Sequence, residues 1–331
     1  NKGQFTDTFV TRVCRDLERR HLPLIVDVGG RPTPDQERIF GYCTHAVLLS
    51  SDPAMLDTWR GMMERQGVTV IAELVSTLGE PSVIFDRTPV LRARIAGLRR
   101  FEAAAGEVID ALVERIAAIF GYAQEELRET HLRAAPTELT VEIDRLGRTL
   151  NLLDAKERWV PAAMRPLLEY LPSHEPLAVY GRGPGWLYAT LAAYTFPAPF
   201  WQYDARLGWV KPVALHRRGA DIATWPIGWR VLADGGGAPI LDAVLCVAYV
   251  DYMEMDGAGV PDIDVSNGLV ISGKLPHWVL TGLVRAYEDA PWIAAYHLQY
   301  DTDAVVVAAR GFARRVGDLE PVALRESTDF G

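Results

Sequence analysis

The sequence predicts an α/β protein with a doubly wound sheet at its N-terminal end and two tandem small α/β domains after it, related by a pseudo-twofold axis. Two observations carry this. Short apolar runs alternate with helical stretches over residues 1–100. Further on, a glycine-rich loop with its flanking elements recurs 92 residues downstream.

In chain order, Leu22 to Gly30 is a short apolar run ended by glycines, the pattern of a buried parallel strand. A helix starts at Thr33-Pro34, with proline in its first turn and Asp35 and Glu37 near its positive end. His45 to Ser50 reads as a second strand. Asp52-Pro53 opens a helix running to about Gln66, where Gly67 ends it. Val68 to Leu74 is a third strand. Strand-helix-strand-helix-strand implies right-handed crossovers. Residues 101–129 carry apolar positions at helical spacing and read as a bridge. The predicted divisions are 1–100, a helical bridge at 101–135, and small domains at 136–218 and 219–331.

The repeat pairs Gly181-Arg182-Gly183-Pro184-Gly185-Trp186-Leu187 with Gly273-Lys274-Leu275-Pro276-His277-Trp278-Val279. Gly181 and Gly273, Pro184 and Pro276, and Trp186 and Trp278 are each 92 residues apart. Each loop follows an apolar strand, Leu177 to Tyr180 or Gly268 to Ser272, and opens a helix. Each helix leads to a Pro-aromatic strand, at 199–203 and 291–296. Two such units read as a dimer fused into one chain.

Composition narrows the function. The 331 residues hold 34 Lys plus Arg against 43 Asp plus Glu, a formal charge of −9. A net acidic chain is a poor general binder of nucleic acid, and genomic DNA is not an expected partner. No apolar run approaches the roughly 18–20 residues of a membrane-spanning helix, so no membrane partner is expected. Cys14, Cys43 and Cys246 form no zinc spacing or disulfide framework, which fits a reducing cytoplasm. Asn1-Lys2-Gly3 has neither Met nor a signal-peptide pattern, and reads like the interior of a longer protein.

The loop G-[RK]-x-P-x-W has a chemistry of its own. Glycine at a strand end lets backbone approach a ligand closely. A cation sits beside it, and the free N–H groups of a new helix face the same point, which suits phosphate. Trp186 and Trp278 offer stacking faces for bases. The alternative is that Gly and Pro shape a turn and Trp fills the core.

Both copies resemble the small domain of the third family of CRISPR ring nucleases. The first does so through Val179 to Pro184, Trp186-Leu187 and Tyr203 to Gly208. The second does so through Val270 to Gly273, Pro276, Trp278, Tyr287, Pro291, Tyr296, Ala304 to Val307 and Gly317-Asp318. This resemblance implies CARF-like domains that bind cyclic tetra-adenylate between paired units, with the chain acting as a homo-oligomer. The family also occurs fused to an AAA-like P-loop domain. Lys2 to Thr6 and Pro23 to Gly30, continuing to Leu49, resemble the later half of such a domain, so the P-loop sheet here is partial.

The resemblance further implies cleavage by attack of a ribose 2′-OH on the adjacent phosphate, assisted by Mn²⁺ or Mg²⁺. An Asp-x-Arg after the aromatic strand and a His before it supply the side chains. Asp204 and Arg206 match the first pair, but Thr195-Phe196 stand where the His is expected. In the second copy His297 and Gln299 stand for Asp and Arg, with Glu288-Asp289 in the His region. A composite site remains open, as does a domain that binds the ring without cutting it. The ring cradle implied is Gly181, Arg182, Gly183, Pro184, Trp186, Ser272, Gly273, Lys274, Pro276, His277 and Trp278. Asp27, at a strand end, is placed as the acid that binds Mg²⁺ beside ATP. No G-x-x-x-x-G-K-[ST] occurs in these residues, so ATP hydrolysis would need an upstream phosphate loop.

Lesser readings complete the picture. Asp234 to Gly237 reads as a linker turn and His216-Arg217-Arg218 as a solvated loop. Asp251, Glu254 and Asp256 read as one side of a half-exposed strand. The competing functions are a ring nuclease, a degenerate ring sensor, and a P-loop kinase or NTPase with a scaffold C-terminal half.

Overall fold

The computed structural model describes residues 7–21, 23–28, 33–98, 103–219, 225–232, 237–247, 250–300, 303–311 and 314–322. Lys2 to Thr6, Gly29, Gly30 and most of the Asp234 to Gly237 turn lie outside the described residues. The chain divides into two compact units, residues 1–130 with 205–208, and residues 131–204 with 209–331.

In the first unit, helices α1 (Asp7–Glu18) and α2 (Pro34–Phe40) pack Val10, Cys14 and Leu17 against Ile39. Strand β1 (His45–Ser50) leads to α3 (Pro53–Arg65), where the Asp52 carboxylate accepts the Ala54 N–H at 3.0 Å and proline occupies the first turn. Next come β2 (Thr69–Thr77), β3 (Val83–Asp86) and β4 (Leu91–Ala96). The sheet order is β1-β2-β4-β3, parallel except for β3. The predicted bridge helix is two helices, α4 (Glu107–Phe120) and α5 (Gln124–Arg133), parted at Gly121.

The predicted strand at Leu22 to Gly30 does not form over its described residues. Residues 23–28 belong to no helix or strand, and Ile25 is 77% exposed. Hydrophobicity alone does not make a strand, which also needs its N–H and C=O groups paired with a neighbour's, and among the described residues β1 pairs with β2. Leu24, Ile25 and Val26 instead line an apolar cleft of about 500 Å³ with Phe40, Val47 and Leu49.

Among the described residues, the second unit holds three sheets. The first, β5-β6-β7-β8, combines β5 (Thr140–Glu142), β6 (Leu177–Tyr180), β7 (Phe200–Asp204) and β8 (Gly208–Val210). Helix α6 (Ile143–Thr149) follows β5, α7 (Met164–Tyr170) precedes β6, and α8 (Gly185–Thr195) crosses from β6 to the parallel β7. A two-stranded parallel sheet joins β9 (Leu215–Arg218) to β12 (Ala258–Pro261).

The third sheet has six strands, in the order β10-β11-β13-β14-β15-β16. They are β10 (Ile227–Leu232), β11 (Ile240–Leu245), β13 (Leu269–Ser272), β14 (Trp292–Tyr296), β15 (Asp303–Ala309) and β16 (Leu319–Pro321). Helix α9 (Tyr252–Met255) lies between β11 and β12, and α10 (His277–Ala286) crosses from β13 to the parallel β14. A parallel β-α-β crossover therefore occurs twice, once around each glycine loop. The registers are not identical. Leu177 faces Phe200, whereas Leu269 faces Ile293, one position further along the repeat.

The core sits between these crossovers. Helix α8 is buried on almost every side, from Trp186 through Ala192, as expected of a helix with no solvent face. It packs on α10. Gln202 Nε2 donates to Thr281 Oγ1 at 3.3 Å, and Arg285 caps the end of α8 through the Ala192 and Ala198 carbonyls and the Thr195 hydroxyl. Arg285 has no acidic partner in these bonds and lies over Phe196 and Phe200. Burial lowers its pKa to about 10.

Two surface readings change. His216 to Arg218 belong to β9, and Arg217 pairs with Asp262 and Asp289 over the Tyr287 ring. Asp251 is the N-cap of α9, accepting the Met253 N–H at 2.8 Å, and Asp256 accepts the Ala214 N–H at 3.0 Å. Alternation of polar and apolar residues over one turn does not distinguish a capped helical turn from a strand.

Candidate functional site

The C-terminal ends of two parallel strand pairs in separate sheets, β6 with β7 and β13 with β14, carry the residues the sequence singled out. Such ends are where open α/β sheets take ligands, because the crossovers leave a crevice there. Strand β6 ends at Tyr180, and Gly181 follows with φ +112. A Cβ on Gly181 would lie 2.8 Å from Asp144 Oδ2, so the turn is closed to any side chain. Strand β13 ends at Ser272, and Gly273 follows with φ +120. A Cβ there would strike the carbonyl oxygen of Ala243 on β11.

Pro184 and Pro276 are the N-caps of α8 and α10, and neither helix has a side-chain cap. The two helix starts touch. A Cβ on Gly185 would come within 3.1 Å of Leu280 Cδ2 and 3.6 Å of His277 Cδ2, while the His277 ring lies 4.5 Å from the Tyr188 ring, centroid to centroid. By the repeat offset, Gly185 corresponds to His277 and Tyr188 to Leu280. Gly185 with Leu280 and His277 with Tyr188 are thus reciprocal contacts, as a local twofold requires.

One loop already holds an anion. The Asp144 carboxylate, from α6, accepts the Arg182 backbone N–H at 3.2 Å. That carboxylate thereby takes up a backbone N–H of the first loop. The Arg182 and Lys274 side chains are exposed, and Gly183 packs on Ile143 and Leu187. Tyr188 locks the first loop by donating to the Gly181 carbonyl at 2.6 Å.

Trp186 and Trp278 do not line the site. Each is 1% exposed and turned into the core, with its indole nitrogen lacking a hydrogen-bond partner. A helix presents one face to its loop and the other to its sheet, and here the second helical residue faces inward. The expectation that they stack on bases is corrected.

Asp204 closes β7, and Arg206 follows, exposed, in the turn 205–207. Asp204 is close enough to act electrostatically on both Tyr188 and His277. Burial, and then the Asp144 and Asp204 carboxylates, push the Tyr188 phenol well above its usual range. Burial holds the His277 imidazole below its usual range. The Asp204 carboxylate opposes that shift, and the His297 imidazole adds to it. His297, just past β14, is likewise lowered by burial, and its Nδ1 receives the Gln299 N–H at 3.3 Å. Behind Asp204, Tyr203 stacks on His131 at 4.4 Å, and His131 Nδ1 lies 3.1 Å from the Tyr180 hydroxyl.

Sequence reasoning missed Asp144 and Tyr188, and read His297 only as a departure from the Asp-x-Arg pattern. No local signal marks Asp144, which reaches Arg182 across 38 residues. Tyr188 was readable as the next turn of the helix that the loop opens.

A bound metal has a poor donor set here. Among the described residues, no three His, Cys, Asp or Glu side chains converge as ligands. Asp27, in the first unit, is an exposed single carboxylate on the extended segment 23–28. No described helix is long and apolar enough to cross a membrane.

The second unit is thus an α/β domain with two glycine loops meeting at touching helix starts. A protein-family model described as CRISPR-associated protein (Cas_csx3) matches residues 244–320, the stretch from the end of β11 through β16. No curated protein and no solved structure matches the chain.

Proposed function

We propose that the second unit binds the cyclic tetra-adenylate messenger of type III CRISPR defence and cuts it as a ring nuclease. The observation that carries this reading is the meeting of the Gly181–Gly185 and Gly273–His277 loops around a local twofold. A ring of repeating phosphates presents symmetry-related anions to such a pair of loops. Arg182 and Lys274, both exposed, supply positive charge. The similarity of residues 244–320 to a CRISPR-associated family supports the same reading. In this proposal Asp204 and Arg206 serve the chemistry, Arg206 steadying charge on the phosphate.

The second reading is a sensor that holds the ring without cutting it. It is favoured by the lack of a His at Thr195-Phe196 and of a convergent metal-ligand set. Mg²⁺ at Asp27 with ATP belongs to the proposal for the first unit. One carboxylate holds such an ion only when phosphate oxygens and waters complete the shell.

The deciding experiment incubates the protein with radiolabelled cyclic tetra-adenylate, with and without Mn²⁺, and resolves linear products and gel shifts in parallel. Cleavage lost in Asp204→Ala establishes the nuclease. A shift without cleavage establishes the sensor. Neither product nor shift refutes both.

A further inference from the structure

We infer that the second unit holds a binding site for a small carboxylic acid with an apolar body, in the cavity beside the last turn of α10 that Arg285 and Lys211 line. The inference does not rest on the ring-binding reading. The cavity measures about 330 Å³ and lies between the Pro197 to Phe200 stretch, the segment Lys211 to Leu215, and the end of α10. Phe200 begins β7 and Arg285 stands in the last turn of α10, so the cavity is at the opposite end of the crossovers from the glycine loops.

Its walls are fixed by the protein's own bonds. The Val213 N–H donates to the Trp278 carbonyl at 3.2 Å. The Ala214 N–H donates to the Asp256 carboxylate at 3.0 Å, and the Ala214 carbonyl accepts the Gly257 N–H at 2.7 Å. A Cβ on Gly282 would lie 2.7 Å from the Val213 carbonyl oxygen, so this segment and α10 are in close contact. Phe200, Val213 and Leu215 are buried and give the cavity an apolar lining. A preformed, mainly apolar cavity of this size with a few polar groups suits a small ligand.

Charge decides which ligand. Lys211 and Arg285 carry the polar side chains of the lining, and none of the described residues that line it is acidic. Arg285 spends Nε and Nη2 on the Ala192 and Ala198 carbonyls and the Thr195 hydroxyl, and Nη1 takes part in none of these bonds. Burial lowers its pKa only to about 10, so the guanidinium stays charged at neutral pH while its bonded partners are neutral. A partly buried charge without a counterion is costly, and an anion entering the cavity offsets that cost. The Lys211 ammonium is held 4.7 Å from the centroid of the Trp201 ring and supplies a second cation. A carboxylate offers oxygens to Arg285 Nη1 and Lys211 Nζ and brings one charge to the one guanidinium that lacks a counterion. Its apolar body then covers Phe200, Val213 and Leu215. Inorganic phosphate would meet the cations but leave those walls bare.

The first repeat does not carry the same cation. By the 92-residue offset, Ala193 and Tyr194 stand for Arg285 and Ala286. The Tyr194 hydroxyl is turned to the Leu168 and Leu171 carbonyls.

The test titrates the full chain with benzoate, hexanoate, benzyl alcohol and inorganic phosphate, by calorimetry and ligand-observed NMR, with no cyclic nucleotide present. Expected is one acid bound per chain, at least about tenfold more tightly than benzyl alcohol or phosphate. Ala286→Leu, which fills the cavity, and Lys211→Glu, which reverses a charge in its lining, should each weaken that acid about tenfold or more, with thermal melts reporting that both variants fold. Lys211 is exposed, so Lys211→Glu decides the matter if Ala286→Leu does not fold. Binding of neither acid, binding no tighter than that of benzyl alcohol or phosphate, or binding unchanged in Lys211→Glu overturns the inference. Each of these results leaves the ring-binding proposal where it stands.

Discussion

Replacing Trp186 and Trp278 separates a buried scaffold from a base-stacking platform. Each indole is 1% exposed, with Nε1 buried and unpartnered. Truncation to alanine loses the transfer energy and leaves a cavity, about 3–5 kcal/mol. For a unit of this size that is a fall of roughly 6–20 °C in melting temperature. Phenylalanine is different. Indole exceeds phenyl by roughly 40 Å³, and about 24 cal/mol per Å³ of residual cavity costs about 1 kcal/mol. Removing a buried donor without a partner returns about 1–3 kcal/mol. Trp186→Phe and Trp278→Phe therefore stay within about 2 kcal/mol of the wild type. On the ring-binding proposal, their affinity for cyclic tetra-adenylate is expected to match that of the wild type. Thermal melts and titrations of the ring against all four variants check this. A phenylalanine variant with native stability and a tenfold loss of affinity would place the indole against the ligand and refute the core assignment.

Other outcomes follow from the same coordinates. Gly273→Ala should cost about 2–3 kcal/mol, since φ +120 strains any side chain and the Cβ meets the Ala243 carbonyl. Gly181→Ala should cost less, because Asp144 can turn away, and paired melts of the two variants read the difference. Glu73→Gln should lose about 1–2 kcal/mol at neutral pH. The buried carboxylate accepts from Arg60 Nη2 at 3.0 Å and Arg92 Nε at 3.2 Å, but both arginines are a third or more exposed. Those arginines, Arg60 foremost, hold the Glu73 pKa below its usual 4.5. Its contribution is therefore complete above 4.5 and drains away as pH falls through the native value, so urea melts of the two proteins should converge in acid. Arg285→Lys should cost about 1–3 kcal/mol in thermal melts, because an ammonium cannot reproduce the fork to Ala192, Thr195 and Ala198.

Much of the scaffold was legible locally. Asp52-Pro53 signals a helix start through a cap and a fixed φ, and the helix begins at Pro53. The strands at 45–50 and 177–180 appear where short apolar runs end in turn residues. The repeat located both glycine loops and the helices they open, because a turn needing positive φ leaves its mark as glycine. Over its described residues 23–28 the apolar run at 22–30 formed no strand, since hydrophobicity alone does not specify pairing with a neighbouring strand.

The sequence by itself determined the α/β class, the two β-α-β crossovers around glycine loops, and an acidic chain unsuited to general nucleic-acid binding. Those features are set by period, turn chemistry and charge, all of which act within a few residues. Only the tertiary structure decided that Trp186 and Trp278 face the core, that Asp144 occupies the first loop, and that the starts of α8 and α10 touch. Those facts depend on which side of α8 and α10 meets its neighbour. That choice is made by packing between segments dozens of residues apart, and no local pattern records it.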